Sequence, residues 1–266
     1  MDVQRTVGLA QDIVAITLAA VVPFADLRGL KRLKEFSSST ARLAIYRKIV
    51  TSTSLATVIV LALTSFTTLF WVAPRAGEAS WLFHNRIAHY AAAVCVTTFF
   101  LLALWPGIKC AFNPSVRLRY RKAMPSLVFM MPVTTSERLW WALVSVTAGV
   151  CEELLYRGFL LQYLRGHLYG GPALGITLAW LLSSLAFGCG HIYQGATGVV
   201  RTMIAGLMLG LLAILTGNLL VPIVVHCVLD LQILLMYHPI KDAPEEASAL
   251  ISGFCPQNPQ LPLAAI

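Results

Sequence analysis

Cys151-Glu152-Glu153-Leu154-Leu155-Tyr156-Arg157-Gly158 sets two adjacent carboxylates and an arginine inside an apolar run from Leu139 to Leu161. About twenty apolar residues cross a hydrocarbon core of roughly 30 Å as a helix. The run therefore reads as a membrane-spanning helix with ionisable groups at bilayer depth, where such groups are costly and mark functional sites by default. On a helix, neighbours point about 100° apart while residues four apart share a face. Glu153 and Arg157 are thus expected to pair, and because a guanidinium keeps its charge, Glu153 is read as its ionised structural partner. Glu152 points elsewhere, has no local neutraliser, and is the group assigned to chemistry. The same residues would also suit an ion-pair staple within a helical bundle that performs no chemistry.

The rest of the chain has the same character. Of 266 residues, 58% are hydrophobic and 12% charged, with a mean hydropathy of +0.74, which excludes a soluble domain of this length. The expected fold is an all-α, polytopic transmembrane helical bundle of about seven spans. These run roughly from Val7 to Ala25, Ile49 to Ala73, Ile87 to Ile108, Leu139 to Leu161, Pro172 to Gly190, Val199 to Thr216 and Leu219 to Tyr237. Asp12 and Pro23 interrupt the first, which lacks the basic flank of a cleaved signal and is read as a retained helix.

The net charge of +8 comes largely from two stretches, with seven Lys or Arg between Arg28 and Lys48 and five between Lys109 and Lys122. Basic loops between apolar spans anchor against anionic lipid on the cytoplasmic side, so the charge implies a membrane surface and no nucleic acid. With seven spans, the N-terminus then lies outside and the C-terminal tail inside. Six cysteines, mostly within apolar segments and without a CxxC pair, argue against a disulfide framework. Cysteines filling helix contacts are favoured over soft metal ligands.

Three regions follow: N-terminal scaffold helices over residues 1–130, a chemistry-bearing core over 131–238, and a Pro-rich tail over 239–266. Lys109 to Val133 is too interrupted to cross and reads as interfacial. Thr134 and Glu137 have the spacing of a capping box that opens the fourth span. Trp140 and Trp141 mark where that span enters hydrocarbon. Gly206 and Gly210 allow close helix approach.

Two further pieces complete a constellation. Phe187 and His191 stand four apart and share a face if the helix persists through Gly188 and Gly190. His226 and Asp230 stand four apart in the last span, and two ionisable groups there need a shared partner, a metal or a watery cavity. With Trp140 at one membrane face, Glu152 lies roughly 18 Å in, while His191, His226 and Asp230 lie roughly 9, 18 and 12 Å from that same face. One layer can hold all four.

Glu152-Glu153 to Arg157, Phe187 to His191 and His226 to Asp230, in this order on separate spans, resemble the CPBP family of intramembrane proteases. That family includes the type II CAAX prenyl endopeptidases and bacteriocin-processing, abortive-infection-like proteins. The resemblance covers about Pro132 to Tyr237. It implies a helical membrane core around a cavity and hydrolysis of a peptide bond in a membrane-associated or lipidated substrate. It further implies that Glu152 and His191 activate water, that His226 and residue 230 bind a metal or stabilise the oxyanion, and that Glu153 and Arg157 fill the remaining motif positions. As a metalloprotease site, Glu152, His191, His226 and Asp230 would be the ligands and zinc the first expectation; a metal-free glutamate mechanism is also entertained for the family. Asp230 stands where the prenyl-protease branch has Asn, and an ionised carboxylate accepts but cannot donate. It therefore suits metal ligation or orientation of a histidine better than direct contact with an oxyanion. A multi-pass protein of a bacterial cytoplasmic membrane is expected. Other readings are a non-catalytic immunity or scaffold protein that keeps the site as a pocket, and a proton-coupled transporter, against which no repeat relates the two halves.

Overall fold

The computed structural model describes residues 3–23, 38–74, 77–78, 82, 84–123, 129–168 and 171–237. The tail expected from 239 onward, and most of the first basic stretch, lie outside them. The regular elements among the described residues are helices, with one isolated bridge between Trp71 and Asn218. Helix α1 (Val3–Ile16) runs on through a π-helical turn, Thr17–Val21. Then come α2 (Ser39–Leu63), the short α3 (Phe66–Phe70), α4 (Arg86–Phe112) and the basic α5 (Pro114–Ala123). Helix α6 (Thr135–Glu153) continues through a π-helical segment, Leu154–Leu160, into α7 (Leu161–His167). The chain closes with α8 (Pro172–Cys189), α9 (Ala196–Thr216), α10 (Leu220–Leu231) and α11 (Ile233–Met236).

Among the described residues, five helical stretches are long and apolar enough to cross a membrane: Ser39–Leu63, Arg86–Phe112, Thr135–His167, Pro172–Cys189 and Ala196–Thr216. Their outward faces carry exposed Leu55, Ile87, Val94, Leu101, Leu102 and Leu139, side chains that lipid accepts and water does not. Two of the seven expected spans fall short of that standard. The last is the shorter apolar stretch Leu220–Met236, broken at Gln232, and the helix of the first starts earlier, at Val3, and carries Gln4, Arg5, Gln11 and Asp12. The second expected span is displaced as well. Its helix starts at Ser39, capped by the Ser38 hydroxyl accepting from the Ala41 amide, so Arg42, Arg47 and Lys48 ride on its first turns and not in a loop.

Helix α6 packs between α2 and α10, and α8 packs on α9. The α6–α10 contact depends on Gly149, where a Cβ would stand 2.4 Å from the Cys227 sulfur and 2.9 Å from the Cys227 backbone nitrogen. Gly206 faces Phe187 and Arg157, and Gly210 faces Trp180. At the α6 start the expected capping box forms, with the Thr134 hydroxyl accepting from the Glu137 amide and Glu137 accepting in return from the Thr134 amide. Glu137 also receives Arg42 of α2 at 3.0 Å. Arg138 donates to the carbonyls of Leu234 and Tyr237, and Arg121 of α5 donates to that of Met236. One end of the bundle thus gathers the starts of α2 and α6, the α5 helix through Arg121, and the short α11.

Candidate active site

The arginine of the opening motif is held on three sides. Its Nη1 donates to Glu153 Oε1 at 2.9 Å, its Nη2 donates to the Gly206 carbonyl at 3.1 Å, and its guanidinium carbon lies 4.2 Å from the centre of the Phe187 ring. Both members of the ion pair are buried. A feature not legible in the helix spacing lies on the other side of Glu153: His226 Nδ1 approaches the same Oε1 at 2.8 Å. A carboxylate only accepts, so Nδ1 carries the hydrogen and Nε2 is turned the other way. That nitrogen faces Glu152 Oε2 at 3.9 Å and Asp230 Oδ2 at 3.8 Å. The helix carrying both glutamates passes into its π-helical segment one residue after Glu153, a geometry found often at functional sites.

His191 does not sit on a continued helix. Helix α8 ends at Cys189, because Gly190 and His191 turn away into a short 3₁₀ segment, Ile192–Gln194. The i, i+4 relationship nevertheless survives. His191 Nδ1 donates to the Phe187 carbonyl at 2.9 Å, which fixes the hydrogen there and leaves Nε2 free. Phe187 is the pivot of the group, its ring standing 4.9 Å from His191, 5.8 Å from His226 and 5.1 Å from Tyr156.

Glu152, His191, His226 and Asp230 line one cavity of about 300 Å³, with Trp141, Tyr193, Arg201 and Thr202 among its other walls. Within it, Glu152 Oε2 is buried and has no hydrogen-bond partner among the described residues. A second cavity of about 370 Å³ is lined by Leu18, Val22, Ile45, Ile49, Phe129 and Leu155, and it shares Glu152 and His191 with the first. The two chambers also share Ile49, Met130 and Tyr193; the first carries more of the ionisable side chains and the second is the more apolar.

This arrangement revises two expectations. Trp141 is not an interface aromatic: it is buried, and its indole nitrogen donates to the Asp230 carbonyl at 3.1 Å, tying α6 to the turn of α10 that carries the carboxylate. Trp140, beneath Arg47, is half-buried. The N-terminal third is more than a scaffold, since α2 and the α1 extension wall the apolar chamber. The described cysteines are free thiols. Arg201, missed as a site residue, carried a usable signal as a charged residue within an expected span. Tyr193 and Gln194 carried none.

His226 Nε2, Glu152 Oε2 and Asp230 Oδ2 are chemically apt ligands. As they stand, however, no group of three or more His, Cys, Asp or Glu side chains among the described residues is arranged to hold an ion.

Fold and site together define a class: an all-helical, multi-pass membrane protein with a carboxylate and imidazole cluster at an internal cavity. Residues 134–232 match the family model of the Rce1-like type II CAAX prenyl endopeptidases. This stretch, less than half of the chain, is similar to that family, in agreement with the resemblance carried by the three motifs. The matched stretch holds all three motifs and ends at Gln232, just beyond Asp230. No curated protein and no solved structure matches the chain.

Proposed function

We propose that the protein is an intramembrane endopeptidase that hydrolyses a peptide bond of a membrane-associated or lipidated substrate with protein side chains as the acid and base. The observation that carries this reading is the unpartnered, buried Oε2 of Glu152 facing a cavity that also holds two imidazoles. A buried acceptor left without a partner is costly, and a water held there removes the cost and supplies the nucleophile. Glu152 takes a proton from that water, with His191 Nε2 as the second group that positions it. The water oxygen attacks the scissile carbonyl. His226, as imidazolium, donates from Nε2 to the developing oxyanion. Glu152 then returns its proton to the leaving amine as the C–N bond breaks.

The supporting residues have separate tasks. Glu153 fixes the ring and tautomer of His226, and Arg157 balances the charge of Glu153. Asp230, an acceptor beside Nε2, orients the imidazole and does not touch the oxyanion. Residues 131–238 carry the chemistry in this scheme, and residues 1–130 contribute the apolar chamber that suits a lipid-embedded substrate segment. The cavity reaches from Met131 and Trp141, near the basic end of the bundle, to Glu152 and His226 deeper in; the positive-inside rule assigns that basic end to the cytoplasm, in a bacterial cytoplasmic membrane. Zinc held by Glu152, His191, His226 and Asp230 would lower the pKa of a bound water and polarise the carbonyl. The steps above run on protein side chains alone.

The test is cleavage of a peptide library by protein purified in lipid nanodiscs, with elemental analysis of the same sample. His191→Ala is expected to fold and lose turnover. Full cleavage by that variant overturns the mechanism, and a folded wild-type protein without cleavage of any membrane peptide favours the non-catalytic pocket.

A further inference from the structure

The first chamber contains a cation that the hydrolytic scheme leaves unused. Arg201 stands on the second turn of α9 and lines the same cavity as Glu152, His191 and His226. It is exposed, and among the described residues it has neither a carboxylate within ion-pair distance nor a hydrogen-bond acceptor. Arg157, by contrast, is consumed by Glu153 and the Gly206 carbonyl. Thr202, beside Arg201 on the same wall, likewise has no protein partner for its hydroxyl among the described residues.

An arginine presents a planar fork of donors matched to a carboxylate, and a charge-assisted hydrogen bond is among the stronger contacts a site can offer. A free guanidinium and a free hydroxyl, adjacent in the chain and lining the same cavity as the catalytic carboxylate, make a subsite for an anion on the substrate. We infer that Arg201 and Thr202 bind a carboxylate of the peptide to one side of the scissile bond, while the apolar chamber across Glu152 and His191 takes the other side. The carboxylate is either the peptide's own C-terminus or an acidic side chain near the cut. This rests on the endopeptidase reading, and binding separates the two.

The experiment uses the full chain carrying Glu152→Gln, in nanodiscs of zwitterionic lipid, so that peptides bind without being cut. Fluorescent apolar hexapeptides are compared as the free acid, the C-terminal amide, and the amide with one Asp or Glu. Loss of one charge-assisted hydrogen bond corresponds to about a ten- to hundredfold change in affinity. The free acid, the acidic amide or both are expected to bind that much more tightly than the neutral amide, and the preferred one identifies the source of the carboxylate. Adding Arg201→Gln is expected to erase the difference while leaving neutral-amide binding unchanged, and Arg201→Lys to restore it in part. Equal affinity for all peptides, no binding of any, or a preference that survives Arg201→Gln overturns the subsite. So does a dependence on anionic lipid in place of peptide charge. If the charge preference holds but wild-type protein cuts none of these peptides, the subsite stands and the endopeptidase reading fails.

Discussion

Glu153 Oε1 lies 2.8 Å from His226 Nδ1, and the same oxygen takes Arg157 Nη1 at 2.9 Å. One buried carboxylate oxygen thus joins the structural ion pair of α6 to an imidazole of α10. The arginine keeps that carboxylate charged, and the carboxylate aims the imidazole. Stability and site geometry therefore meet at one side chain.

Removing that link is predicted to be expensive. Glu153→Ala leaves the Arg157 guanidinium buried and unpaired, a loss of about 3–5 kcal/mol when one partner of a buried pair is deleted. Thermal unfolding in detergent should show a large fall in midpoint. A midpoint shift of only a degree or two contradicts the assigned role.

His226 and Asp230 should separate in their effects. His226→Ala removes the proposed oxyanion donor, and loss of such a donor costs about 10²–10³ in kcat. Asp230→Asn keeps shape, and Glu153 still fixes the His226 ring, so turnover is expected to stay within about tenfold of wild type on the same scale. Equal damage from the two substitutions argues that residue 230 contacts the reacting atoms.

Helix approach can be probed without touching a polar group. Gly149→Ala drives a methyl into Cys227, against its backbone nitrogen as well as its sulfur. Overpacking of this kind costs about 1–3 kcal/mol, and here it pushes α10 and its histidine away from α6. Stability and turnover should both fall. Cys227→Ala in the same chain should not restore them, since the backbone contact remains; full rescue would show that the clash is with the sulfur alone.

Metal chemistry gives a direct outcome. The reaction drawn from protein groups predicts that dialysis against a strong chelator leaves turnover unchanged and that purified protein carries well under one zinc per chain. Activity lost on chelation and regained with zinc shows that the four side chains close around an ion they do not enclose here.

What the sequence disclosed, and what it hid, follow from how each contact is encoded. Contacts four residues apart are written in the spacing of the chain, so the Glu153–Arg157 pair, the capping box at Thr134 and the shared face of His226 and Asp230 are legible directly. The helical membrane class follows from composition. The Glu153–His226 bond joins residues far apart in the chain, and no periodicity announces it. Trp141 looked interfacial because tryptophan at a helix start usually is; the Asp230 carbonyl that binds its indole is a tertiary partner. The apolar chamber was invisible for a plainer reason. Leu18, Ile45 and Ile49 facing a cavity read the same as residues facing lipid.

The central claim is that Glu152 is the base and Glu153 is its structural neighbour, and comparing the two conservative variants tests it most directly. Turnover of the same membrane peptide and unfolding midpoint are measured for Glu152→Gln and Glu153→Gln in identical nanodiscs. The account predicts that Glu152→Gln keeps the wild-type midpoint and loses at least about a hundredfold in turnover, within the range for a positioned acid–base group, while Glu153→Gln lowers the midpoint. A Glu152→Gln protein that cleaves at the wild-type rate contradicts it.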